Sequence, residues 1–70
     1  MMPLVFANVG EPNIIKKVGG NPETRKHLEN LGFVPGGEVT IITMTGSNLI
    51  VNVKEARVAV SDELARKIMV

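Results

Sequence analysis

The sequence predicts a mainly β fold with short helices: a small, closed or nearly closed barrel of about five strands, with a helix inserted after the first strand. Three observations carry this expectation. Short β-branched runs alternate apolar and polar residues at period two. Gly- and Asn-containing turn groups separate those runs at close spacing. One stretch, Leu31-Gly32-Phe33-Val34-Pro35-Gly36-Gly37-Glu38-Val39-Thr40-Ile41-Ile42, holds a helix stop, a tight turn and a strand start in succession.

Leu4–Ala7 is an apolar opening, closed by the turn-forming group Asn8–Asn13. Ile14–Val18 reads as the first strand and ends at Gly19-Gly20. Lys16 and Lys17 place one face or edge of it in water. Asn21-Pro22-Glu23 starts a helix. Asn21 can cap it, Pro22 suits the first turn, and Glu23 meets the positive end of the dipole. Thr24, Leu28 and Leu31 fall on one helical face, which covers an open side of the sheet.

Gly32 suits the left-handed position that ends a helix, and Pro35-Gly36 suits the centre of a type II turn. Gly32, Pro35 and Gly36 are therefore structural turn residues. Val39–Met44 is the second strand. Its apolar set changes face partway, which predicts a bulge or strong coiling. Thr45–Asn48 is a hairpin loop, and Leu49–Lys54 alternates as a half-buried strand. Glu55-Ala56 turns the chain into a fourth strand, Arg57–Val60, with Val58 and Val60 inward. Ser61 caps a last short helix, and Ile68–Val70 closes the sheet as a short fifth strand.

Seventy residues fit one domain, spanning 1–70, with a small core. There is no cysteine, so neither a disulfide nor a thiolate metal site is expected, which fits a reducing compartment. The net charge of +1 offers no electrostatic handle for nucleic acid or an anionic membrane. The two aromatics, Phe6 and Phe33, are too few for a base-stacking platform. No apolar run approaches the length of a membrane span, and the N-terminus lacks the basic region of a secretory signal.

Catalytic constellations are missing from the sequence. Neither glycine pair belongs to a phosphate-binding loop. Ser61 has no His–Asp partner nearby, and Asp62-Glu63 is explained by a helix start. His27 and Glu23, one helical turn apart, are the only weak metal candidates. Two donors fall short of the three or four that specific sites use.

The apolar surplus is more informative. Ile42, Met44, Ile50 and Met69 exceed the inward set. Either a closed barrel buries them, or they form a hydrophobic groove for a partner. The groove reading places the partner surface at Leu31, Phe33, Pro35, Ile42 and Met44. There a rigid corner would present apolar anchors at little cost in ordering entropy. The competing reading puts Phe33 in the core, and the exposure of its ring decides between them.

The pattern resembles the FeoA family, small cytosolic proteins that accompany the bacterial ferrous iron transporter FeoB. The resemblance rests on Gly10-Glu11, Ile14–Gly20, Arg25, Leu28, Leu31-Gly32-Phe33-Val34-Pro35-Gly36, Val39, Val58–Val60, Ala65 and Ile68–Val70. It implies an SH3-like barrel with a helix inserted after the first strand. It also implies a non-enzymatic, cytoplasmic accessory of iron uptake, with the cytosolic GTPase-containing region of FeoB as partner. No cofactor is required on this reading, although Fe²⁺ or another divalent transition metal is a conceivable weak ligand. The alternative is a small transition-metal-binding or metal-sensing SH3-like domain. Oligomeric state is left open.

Overall fold

The computed structural model describes residues 1–70. Six strands and two α-helices follow in chain order: β1 (Pro12–Ile14), β2 (Lys17–Val18), α1 (Pro22–Leu31), β3 (Glu38–Thr45), β4 (Asn48–Val53), β5 (Ala56–Ser61), α2 (Asp62–Ala65) and β6 (Ile68–Met69). A single 3₁₀ turn, Leu4–Phe6, precedes them. The strands form a four-stranded antiparallel sheet, β1-β3-β4-β5, and a two-stranded sheet, β2-β6.

The predicted first strand is in fact two strands. β1 pairs with β3, whereas β2 pairs with β6. Ile15 and Lys16 carry the chain from one sheet to the other. The Ile15 N–H donates to the Gly37 carbonyl at 2.8 Å, and the Gly36 N–H donates to the Ile15 carbonyl at 2.7 Å. The Lys16 N–H then donates to the Met69 carbonyl at 2.8 Å. The crossing is therefore held on one side by the Pro-Gly corner and on the other by the C-terminal strand. The Ile15 side chain is buried there.

Helix α1 begins and ends as its sequence dictates. The Asn21 Oδ1 accepts from the Thr24 N–H at 2.8 Å, and Pro22 occupies the first turn. Asn21→Ala removes that acceptor and should lower stability by about 0.5–2 kcal/mol. Urea denaturation of the variant checks this, and an unchanged midpoint would mean that another group caps the helix. At the other end Gly32 has φ +111°. The Gly32 N–H donates to Glu29 and the Phe33 N–H to Leu28, at 2.9 and 3.0 Å. This is the Schellman arrangement, which satisfies the last helical carbonyls and folds the following residue back over the helix.

The corner after α1 is a type II turn: Gly36 has φ +89° and the Gly37 N–H donates to Val34 at 3.0 Å. β3 then runs as far as a register shift between Ile41 and Thr43, the bulge that the change of apolar face predicted. A two-residue turn, Gly46-Ser47, leads into β4. The second hairpin turn sits one residue earlier than predicted. Lys54 and Glu55, with φ +50° and +63°, form it without any glycine. Ser61 caps α2 through its Oγ, which accepts from the Leu64 N–H at 3.1 Å.

The core contains fifteen hydrophobic residues and no buried polar side chain. β3 and β4 supply Val39, Ile41, Leu49, Val51 and Val53, all on their inward faces. Leu4 and Ala7 close one part of the barrel, and Leu28 and Phe33 close another. No helix is long and apolar enough to cross a membrane.

Candidate functional site

The structure separates the five residues predicted to form a partner surface. Phe33 has no solvent exposure and is the largest of the fully buried side chains. Its assignment as an exposed anchor is therefore corrected: the Schellman turn directs it inward beside Leu28, and it belongs to the core. Leu31 is half-buried and packs against that core. Pro35 is exposed at the corner before β3. Ile42 and Met44 are 39% and 42% exposed, but they lie in the far half of β3. The seven strand residues from Glu38 to Met44 span about 20 Å, so corner and hairpin tip are separate surfaces.

Ile42 and Met44 are exposed for different reasons. Ile42 is the extra residue of the bulge and has no partner on β4. Met44 shares its register with Leu49, which is buried, yet it lies near the overhanging end of the hairpin. Val9 joins this side of the molecule. The Gly10 N–H donates to the Ile41 carbonyl at 2.8 Å, which brings Val9, 53% exposed, beside the bulge. Phe6, 65% exposed, precedes it within the same N-terminal segment. Sequence reading treated Leu4–Ala7 as one apolar run. A 3₁₀ turn places residues three apart on one side, so Leu4 and Ala7 turn inward and Phe6 outward.

The electrostatics of this side are equally distinctive. No charged residue occurs between Glu38 and Lys54, so the β3–β4 hairpin is uncharged from Val39 to Val53. Charge returns at the opposite end of the sheet. There Glu38, Thr40, Asn52, Lys54 and Glu55 line a shallow polar depression of about 240 Å³.

Glu23 and His27 are both exposed on α1. The structure brings no further His, Cys, Asp or Glu to them, and no group of three or more such residues occurs elsewhere. Ser61 is used as a helix cap, and the Asp62 carboxylate bonds Arg66 at 3.3 Å.

Comparison with known proteins assigns the family. The family model described as the FeoA domain matches residues 2–70. The chain belongs to the FeoA family. FeoA proteins are accessories of ferrous iron transport, and the barrel described above is the SH3-like fold of this family. A protein of Methanocaldococcus jannaschii named "Putative Fe(2+) transport protein A" is 33% identical over 70 residues, covering all of this chain and 85% of the relative. A crystal structure of an iron uptake regulatory protein (FeoA) superposes with a TM-score of 0.89 at 25% identity, covering 97% of this chain and 92% of that one. Stenotrophomonas maltophilia FeoA, solved in complex with zinc and described as an SH3 domain protein, superposes with a TM-score of 0.85 at 25% identity, covering 99% and 88%.

Proposed function

We propose that this FeoA chain is a non-enzymatic, cytoplasmic accessory of ferrous iron uptake that binds the GTPase-containing region of the FeoB transporter. The observation that carries the reading is the uncharged stretch Val39–Val53 of the β3–β4 hairpin, in which Ile42 and Met44 are exposed and to whose bulge Gly10, next to the exposed Val9, is hydrogen-bonded. Family membership supports the pathway, and the Stenotrophomonas relative has been described as a candidate ferrous iron transport activating factor. The contact is apolar, so its affinity depends little on salt.

Ile42→Ala and Met44→Ala should each weaken binding to the purified GTPase-containing region by more than about 1 kcal/mol, roughly fivefold or more. Raising the salt from about 0.1 to 0.5 M should change affinity far less than either substitution, because screening acts on charges. Calorimetric titration reads both effects. Wild-type affinity for the transporter region that both substitutions leave unaltered would remove this surface from the reading. The purified chain alone should turn over neither GTP nor ATP, since its sequence has no phosphate-cradling loop. Turnover that co-purifies with the protein and scales with its concentration would make it an enzyme.

Iron in this reading is cargo, and the chain needs no resident metal. Glu23 and His27 offer two side-chain donors on an open helix surface, too few for a tight site. The metal-sensing alternative requires saturable, micromolar changes at these two residues on titration with Fe²⁺ or Zn²⁺.

A further inference from the structure

The four-stranded sheet ends in two edges of different character. β1 is three residues long and begins with Pro12, which has no N–H to offer. β5 is six residues long and pairs with β4 in unbroken register. It contains no proline and no bulge, and Arg57 is its single charge. The usual devices that blunt an edge are therefore almost absent from β5.

The hairpin fixes which groups this edge presents. In a two-residue hairpin the residues flanking the turn, Val53 and Ala56, form a hydrogen-bonded pair, and the pattern alternates from there. Val58 and Val60 consequently spend their N–H and C=O groups on β4. Arg57 and Ala59 aim theirs away from the sheet, as Ser61 does its N–H. No backbone hydrogen bond from outside the ladder reaches Arg57 or Ala59. Both side chains are exposed on the outer face. Ala59 stands opposite the half-buried Ile50, leaving room above its methyl group. Arg57 makes no ion pair and no side-chain hydrogen bond.

We propose that the β5 edge takes up an extended segment of another polypeptide as an additional antiparallel strand, with a large apolar residue opposite Ala59 and an acidic residue opposite Arg57. Cross-strand partners share a face, so the apolar residue leans over Ala59 onto Ile50. The acidic residue lies two positions further along the incoming strand and meets the free guanidinium. The residue between them faces the half-buried Val58 and is apolar. The recognised pattern is large apolar, apolar, acidic. A second copy of this chain fits less well. Two-fold pairing centred on Ala59 would oppose alanine to alanine, leaving Ile50 uncovered. It would set Arg57 against the second copy's serine, leaving the charge unpaired. The inference stands apart from the transporter reading, which rests on the hairpin at β3 and β4.

The test uses the ¹⁵N-labelled full chain and an acetylated, amidated heptapeptide, Ser-Thr-Leu-Val-Glu-Thr-Ser. Saturating peptide should slow amide exchange at Arg57, Ala59 and Ser61 several-fold, while α1 amides stay unchanged. A peptide with Lys in place of Glu should bind roughly two- to fivefold more weakly. Ala59→Pro removes an N–H that makes no internal bond, so the fold should persist while peptide affinity falls about tenfold or more. Arg57→Glu, at an exposed position, should reverse the preference between the two peptides. Unslowed exchange at Arg57 and Ala59 with millimolar peptide would overturn the proposal. So would an unreversed preference in Arg57→Glu. Protection of the same amides that grows with concentration in the free protein would assign the edge to a second copy instead, and would also overturn it.

Discussion

Phe33→Ala should destabilise the protein by about 3–5 kcal/mol. The ring is the largest wholly buried side chain in a core of fifteen residues, so its removal deletes contacts on every side. A chain of this length holds roughly 4–10 kcal/mol of total stability, so the loss is from about a third to all of it. Phe33 is also held from the backbone, because its N–H caps the Leu28 carbonyl at 3.0 Å. The backbone at this position therefore cannot move freely into the vacated space. Phe33→Leu retains most of the volume and should recover much of the loss. Urea melts of the two variants read the difference. A Phe33→Ala cost below about 1 kcal/mol would mean that the core collapses around the site.

Gly36→Val is the second large effect, with an expected loss of about 1–3 kcal/mol. A Cβ at Gly36 would meet no atom within 4 Å, so the cost is not crowding. It comes from placing a β-branched residue at φ +89°. Gly36→Asn separates the two causes. Asparagine tolerates the left-handed region, so it should cost clearly less than valine despite a similar bulk. Equal melting temperatures for the valine variant and the parent would exclude the positive-φ turn. The strain would also be felt beyond the corner. The Gly36 N–H and the Gly37 carbonyl together hold both polar groups of Ile15, where the chain passes between sheets.

Most of what local chemistry controls was legible in the sequence. Asn21 caps, Gly32 stops α1, Pro35-Gly36 turns, Ser61 caps again, and the change of apolar face in β3 is a bulge. Each signal lies within a few residues of its effect. The break of the first strand at Ile15 was not legible, because its cause lies with Gly37 and Met69, which are remote in sequence. The turn at Lys54-Glu55 was misplaced by one residue because neither residue is a usual one at positive φ.

The burial of Phe33 has a local signal in the sequence. An apolar residue directly after a C-terminal glycine normally packs onto the helix residue five positions earlier, here Leu28. The exposure of Ile42 and Met44 follows from the apolar surplus of β3, whereas Phe6 and Val9 emerged only from the path of the N-terminal segment. The open edge of β5 follows from sheet order, which a single sequence does not state.

The division into two sheets also sets an order of assembly. β3, β4 and β5 are joined by two-residue turns, so their pairing closes only short loops. The β2–β6 pair joins Lys17 to Met69 and Val18 to Ile68, about 50 residues apart in the chain. Closing it costs far more chain entropy before any contact rewards it. The meander is thus the natural nucleus, and the small sheet forms late. The same asymmetry runs in reverse on unfolding: β2 and β6, only two residues each, are the first pairing to open. With them Lys16, at the crossing, loses its hold on Met69, while the hairpins of β3, β4 and β5 remain closed.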